Sequence, residues 1–254
     1  MTRWFLAILS LFALATPCAA HETGFLNRTI AVGGNTYRYV VYVPAGVPMR
    51  RLPVILALHG SGERGGDGLL PTDVGLGHAV RVHPERFPAI VVFPQAARDA
   101  SWMDSRALAR ATLAAAEREF ATDRARVYIV GLSMGGNGAW ALANDEPGRF
   151  AAAVVVCGFA GPFHDFPGVV PAGKPDPYTA LARSIARLPV WIEHGDADPV
   201  VPVDDSRRMA ATLTAAGGTV RYKELPGVGH NAWDTAFADP ELATWLFSQR
   251  RAGP

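Results

Sequence analysis

Val130-Gly131-Leu132-Ser133-Met134-Gly135-Gly136 decides how this chain is read: a run rich in β-branched residues over 127–130 delivers a G-x-S-x-G motif that then opens a helix. This is the layout of a nucleophile elbow, in which a serine stands on a sharp, strained strand-to-helix turn. Side chains at the flanking positions would collide with neighbouring backbone, so the turn needs residues without a Cβ, and Gly131 and Gly135 supply them. In a chain with 26 glycines the five-residue pattern also arises as a tight turn with an incidental serine, so its chemical meaning depends on what surrounds it.

A serine hydroxyl is a poor nucleophile at neutral pH. It needs a histidine to accept its proton and a carboxylate to hold that histidine's tautomer. Downstream of the elbow, the apolar run 188–192 is followed by His194-Gly195-Asp196-Ala197-Asp198-Pro199, and residues 220–225 lead into Pro226-Gly227-Val228-Gly229-His230-Asn231. Ser133, Asp198 and His230 are therefore the candidate triad, in the order Ser, acid, His. Asp196 is a rival to Asp198, which is preferred because it lies deeper in the loop and precedes Pro199, a position biased to extended backbone. Asp204 and Asp205 precede a helical stretch over 206–216 and read as N-caps. His230 lies between glycines and Asn231, outside any apolar periodic segment, unlike an ordinary core histidine.

Acyl transfer also needs two backbone N–H donors aimed at the developing oxyanion, one from the residue after the nucleophile and one from the loop after an early strand. Met134 meets the first requirement. The buried-strand run 54–58 ends in His59-Gly60-Ser61-Gly62-Glu63-Arg64-Gly65-Gly66, which places Ser61 as the second donor. A phosphate cradle is the rival reading of this Gly-rich loop, but neither the P-loop pattern nor a dinucleotide fingerprint is present.

The element order predicts the architecture. Residues 29–32 and 37–43 alternate around Gly33-Gly34-Asn35, a hairpin signal for an antiparallel edge. Strand candidates at 54–58, 89–93, 127–130, 153–157, 190–192 and 220–225 then alternate with helix candidates at 105–120, 136–144, 206–216 and 240–250. Such alternation implies an α/β fold, a mostly parallel twisted sheet with helices on both faces. Every candidate functional loop follows a strand's carboxyl end, where ligands sit in sheets of this kind.

LPVILALHGSGERGGDG, the FPQ of residues 93–95 with Trp102 after it, RVYIVGLSMGGNGAW, LPVWIEHGDADPVVPV and RYKELPGVGHNAWD together resemble the α/β-hydrolases of the predicted-peptidase and phospholipase/carboxylesterase type. These are dienelactone hydrolase-like proteins that include feruloyl and polysaccharide esterases. The resemblance implies the α/β-hydrolase fold, Ser133 as nucleophile, Asp198 as acid, His230 as base, and Ser61 with Met134 as oxyanion donors. It also implies a pocket-wall position for Trp102. Trp233 is a further aromatic pocket candidate. The segment 158–187, rich in proline, glycine and aromatics, is longer than in such relatives and reads either as a lid or as an ordinary excursion with a short helix over 178–185.

With 254 residues, 49% of them hydrophobic and 19% charged, the chain can bury a sizeable core. A net charge of +1 gives no electrostatic case for nucleic acid or an anionic membrane surface. Arg3, the apolar run 4–15 and the small-residue end Thr16-Pro17-Cys18-Ala19-Ala20 read as a secretory signal over 1–20, too short for a membrane span, with residues 21–254 as one catalytic domain. Cys18 reads alternatively as a lipoprotein cysteine, against which Pro17 argues. Cleavage after Ala20 leaves Cys157 as the one thiol, a small core residue. The expected activity is hydrolysis of small or polysaccharide-linked carboxylic esters by a secreted or periplasmic enzyme with no cofactor. Peptide hydrolysis and a binding module on a hydrolase scaffold are the alternatives. Zinc chemistry is disfavoured because His59, His194 and His230 lie in separate loops without H-E-x-x-H spacing.

Overall fold

The computed structural model describes residues 22–48, 50–169 and 176–251. The predicted signal segment, with Cys18, lies outside the described residues. An eight-stranded sheet runs through the chain in the order β1-β2-β4-β3-β5-β6-β7-β8. β1 (Gly24–Val32) and β2 (Asn35–Val43) form the expected antiparallel hairpin across Gly33-Gly34, both of which adopt positive φ, and β2 also pairs antiparallel with β4 (Ile90–Pro94). From there β3 (Leu52–Leu58), β5 (Thr122–Leu132), β6 (Ala152–Val156), β7 (Val190–Gly195) and β8 (Val220–Leu225) are all parallel.

Burial follows from where each strand sits. Every residue of β3, β4 and β6 is buried, as expected for parallel strands covered on both faces, whereas edge strand β1 alternates. Successive side chains of β3 serve opposite cores: Val54, Leu56 and Leu58 join the helices α2 (Arg106–Glu119), α3 (Met134–Asp145), α4 (Pro177–Ile185) and α5 (Val203–Ala215). Ile55 and Ala57 join α1 (Leu76–Val82), α6 (Trp233–Ala238) and α7 (Pro240–Ser248) on the other face. No helix among the described residues is long and apolar enough to cross a membrane.

Two short helices, α1 and α6, escaped the sequence reading because seven and six residues carry too little periodicity to separate helix from loop. The assignment of Asp204 and Asp205 as N-caps needs correcting. α5 begins at Val203, directly after Pro202, so both carboxylates lie inside its first turn and no side chain caps it. There they still complement the helix dipole, but each is engaged elsewhere. Asp204 pairs with Arg207 at 2.7 Å, and Asp205 accepts from Ala160 N, Gly161 N and Tyr178 Oη at 2.8, 3.0 and 2.7 Å.

Candidate active site

β5 passes into α3 through Ser133, whose backbone sits at φ 51° and ψ −120°. That conformation costs a non-glycine residue roughly 1–3 kcal/mol and persists only when its surroundings enforce it. Here the Ser133 N–H donates to Val156 O at 2.9 Å, and Ser133 O accepts from Gly136 N at 2.9 Å. A Cβ on Gly131 would run into Gly135 O, and one on Gly135 into Leu58 O. The two glycines therefore let strand, turn and helix close on one another, and the serine is 7% exposed at their apex.

His230 Nε2 lies 3.0 Å from Ser133 Oγ, and His230 Nδ1 lies 2.7 Å from Asp198 Oδ2. Three loops at the carboxyl ends of β5, β7 and β8 thus meet in one hydrogen-bonded chain. The Asp198 side chain is buried, and its Oδ1 accepts from the backbone N–H groups of Val200 and Val201 at 2.8 and 3.0 Å. Burial pushes the Asp198 carboxyl up, but the His230 bond and the two backbone donors outweigh it and hold the carboxyl below its ordinary value. Asp196 instead accepts from Gly227 N at 2.6 Å and ties down the turn before His230.

Ser61 and Met134 each open a helical turn, so their N–H groups have no partner within that turn. The loop carrying Ser61 lies against Ser133: a Cβ on Gly60 would lie 3.6 Å from Ser133 Cβ. His59 anchors this loop from beneath. Its Nε2 accepts from Ala96 N at 3.0 Å, which leaves Nδ1 to donate to Gly60 O at 2.6 Å. Burial, ahead of any other influence, lowers its pKa to about 4. Gln95 adds a second brace, accepting from Gly68 N and donating to Glu63 O.

Trp102, expected on the pocket wall, is instead completely buried. Its indole N–H donates to His59 O at 2.9 Å, and its Cβ would lie 2.5 Å from a Cβ on Gly138 of α3. It supports the loop carrying Ser61 and the helix α3 from behind. A large aromatic in a short motif reports proximity to the site but not which side of the backbone it occupies. Trp233 is partly exposed, and its ring meets that of His230 edge-on at 5.5 Å. It borders a groove of about 230 Å³ between α1 and α6, lined also by His78, Val82 and Phe237.

The residues 158–169 reach back to the site: Phe166 receives the Arg64 guanidinium over its ring at 5.7 Å, and Arg64 Nε donates to Ser61 O at 2.9 Å. The predicted short helix of this segment is present as α4. Cys157 is buried with φ 43°, and burial pushes its thiol well above the ordinary value, as suits a packing residue. Sequence reasoning missed the structural roles of His59, Gln95, His194 and Asp205. The HG dipeptides at 59–60, directly after β3, and at 194–195, closing β7, were the available signal for the two histidines.

A serine, histidine and aspartate at the carboxyl edge of a sheet in this strand order define an α/β-hydrolase fold. The chain belongs to the dienelactone hydrolase family, which matches residues 95–242. Among solved structures it is similar to a thermostable esterase, with 30% identity and a TM-score of 0.76 over 89% of this chain and 63% of that one. It is 40% identical over 73 residues to esterase LipQ of Mycobacterium tuberculosis (28% of this chain, 16% of that protein). It is 30% identical over 115 residues to an uncharacterized secreted protein of Arthroderma benhamiae (40% and 12%). The match thus spans less than a fifth of the length of either of these two relatives.

Proposed function

We propose that this protein is a serine esterase that cleaves carboxylic esters through an acyl-enzyme, with Ser133 as nucleophile, His230 as base and Asp198 as the orienting acid. The observation that carries this reading is the unbroken chain Ser133 Oγ, His230 Nε2, His230 Nδ1, Asp198 Oδ2, at 3.0 and 2.7 Å. Ser133 Oγ attacks the ester carbonyl carbon while His230 Nε2 takes its proton, and the backbone N–H groups of Ser61 and Met134 hold the oxyanion. His230 then hands the proton to the departing alcohol, and water releases the acid by the same steps in reverse order.

Because the alcohol receives its proton from His230, it leaves on the Trp233 side, where the α1–α6 groove offers room. Esters are favoured over peptides, since an alkoxide leaving group needs less protonation help than an amine. The similarity to a thermostable esterase at 30% identity supports the same choice. Small acyl esters or acyl groups on polysaccharides are the proposed substrates. Export through the signal-like segment 1–20 fits such substrates, and the matched Arthroderma benhamiae relative bears the description secreted.

The test is fluorophosphonate labelling of the purified protein, with p-nitrophenyl acetate, butyrate and octanoate hydrolysis followed in parallel. Ser133→Ala is expected to abolish labelling and lower kcat by roughly 10⁶-fold, the scale on which triad serines act. A folded wild-type protein that neither labels nor hydrolyses any of the three esters overturns the reading.

A further inference from the structure

His194, near the end of β7, is completely buried, and each of its ring nitrogens has a partner. Nε2 lies 3.1 Å from Asp198 Oδ2 and 3.0 Å from Val201 O, while Nδ1 lies 2.7 Å from Ser206 Oγ on α5. A carboxylate and a carbonyl only accept, so Nε2 must carry the proton. A hydroxyl can donate, so the bare Nδ1 receives the Ser206 proton. The partners therefore dictate one neutral tautomer. Asp198 Oδ2 in turn faces two imidazole N–H groups, one from His194 and one from His230, while its Oδ1 takes the two backbone donors.

We propose that His194 is a positioning residue of the active site: set in its tautomer by Ser206, it donates from Nε2 to Asp198 Oδ2 and so aims that oxygen at His230 Nδ1. The hydrogen-bonded chain thereby extends to five members, from Ser206 through His194, Asp198 and His230 to Ser133. The inference rests on the reading of Ser133, His230 and Asp198 as catalytic.

The chemistry of the position explains the residue type. An apolar side chain would leave Val201 O and a buried carboxylate oxygen short of a donor. A permanent cation would compete with His230 for the charge of Asp198. A neutral imidazole donates without that competition, and its burial, the largest influence on it, lowers the His194 pKa and favours the neutral form. The charged and titratable groups facing His194 are Asp198 and His230 from their loops and Glu224, its partner in the β7–β8 register. Glu224 is held by Arg207 of α5 at 2.8 and 2.5 Å and by Tyr222 Oη at 2.6 Å, so Asp198 is the carboxylate that His194 serves.

The experiment compares His194→Leu, which removes the donor, with His194→Gln, which keeps an N–H at similar reach, using p-nitrophenyl acetate. Loss of a hydrogen bond to a charged group is expected to lower kcat roughly 10- to 100-fold in His194→Leu with KM within about twofold. The acid limb of its kcat/KM profile is expected to move to higher pH, because an Asp198 oxygen relieved of one donor holds the protonated base more strongly. His194→Gln is expected to recover most of kcat and the wild-type limb. Equal losses in both variants with an unmoved limb would mark His194 as a packing residue and overturn the proposal.

Wild-type protein carrying ¹⁵N-histidine supplies a second reading that needs neither variant to fold nor substrate to turn over. The proposal expects a His194 with a protonated Nε2 and a bare Nδ1 across neutral pH. Protonation at Nδ1 there overturns it. Failure of the esterase reading would appear separately, as wild-type protein that does not react with fluorophosphonate.

Discussion

At position 133 a strained backbone and a hydroxyl held within reach of His230 have to be accommodated together, and neighbouring glycines carry the steric burden for both. The acid site poses a different residue-scale problem, since Asp196 and Asp198 stand two apart in one loop. The structure turns Asp198 toward His230 and gives Asp196 to the backbone of Gly227. Asp198→Asn is therefore expected to lower kcat by roughly 10⁴-fold through loss of the tautomer it holds. Asp196→Ala, which removes the acceptor for Gly227 N, should leave kcat within about twofold and lower stability by about 1 kcal/mol, the worth of one hydrogen bond. Steady-state kinetics with denaturant titration of both variants separates the two. The preference for Asp198 was legible because a residue before proline is biased to extended backbone. The burial of Trp102 was not, because which face of a loop a side chain takes depends on strands remote in sequence.

Among the elements, the junction of β3, β5 and α3 has the tightest tolerance. Gly135→Ala would drive a methyl into Leu58 O, and the resulting shift is expected to destabilise the protein by about 1–3 kcal/mol or more and to displace Ser61 relative to Ser133. A lowered urea midpoint with a disproportionate loss of kcat would show it. The other element-scale brace is Asp205, which joins the loop after β6 and the start of α4 to α5. Asp205→Ala strips acceptors from two backbone N–H groups and one hydroxyl, at an expected cost of about 1–3 kcal/mol. Hydrogen exchange should speed up at the amides of Ala160 and Gly161, and unchanged protection there would contradict the assigned role. The sequence pattern placed a helix here and carboxylates at its start, but a cap and a cross-loop acceptor look alike until the partner loop is in place.

Over the whole molecule, pH couples to the fold through buried His59 and His194, both with pKa values lowered by burial, and His59 lies under the loop carrying Ser61. His59 has an ordinary value of 6.5 and a folded value of about 4, so the unfolded chain binds its proton first on acidification. The stability this residue contributes is complete above pH 6.5 and is lost as pH falls toward 4, with a slope of at most about 1.4 kcal/mol per pH unit. His59→Gln, whose amide both donates and accepts, is expected to flatten the denaturant midpoint across that window, and an unaltered slope would remove His59 as its source. The β/α alternation, the hairpin edge, the G-x-S-x-G turn and the order of its serine, acid and histidine were determined by sequence alone, because local periodicity, glycine sterics and hydroxyl chemistry are short-range properties. Only the tertiary structure decided that Asp198 faces His230, that Trp102 supports the site from behind, and that His59 and His194 brace its two halves. The Asp198–His230 and Trp102–His59 contacts join segments far apart in sequence, and a buried donor or acceptor takes whichever partner the packed sheet brings within about 3 Å.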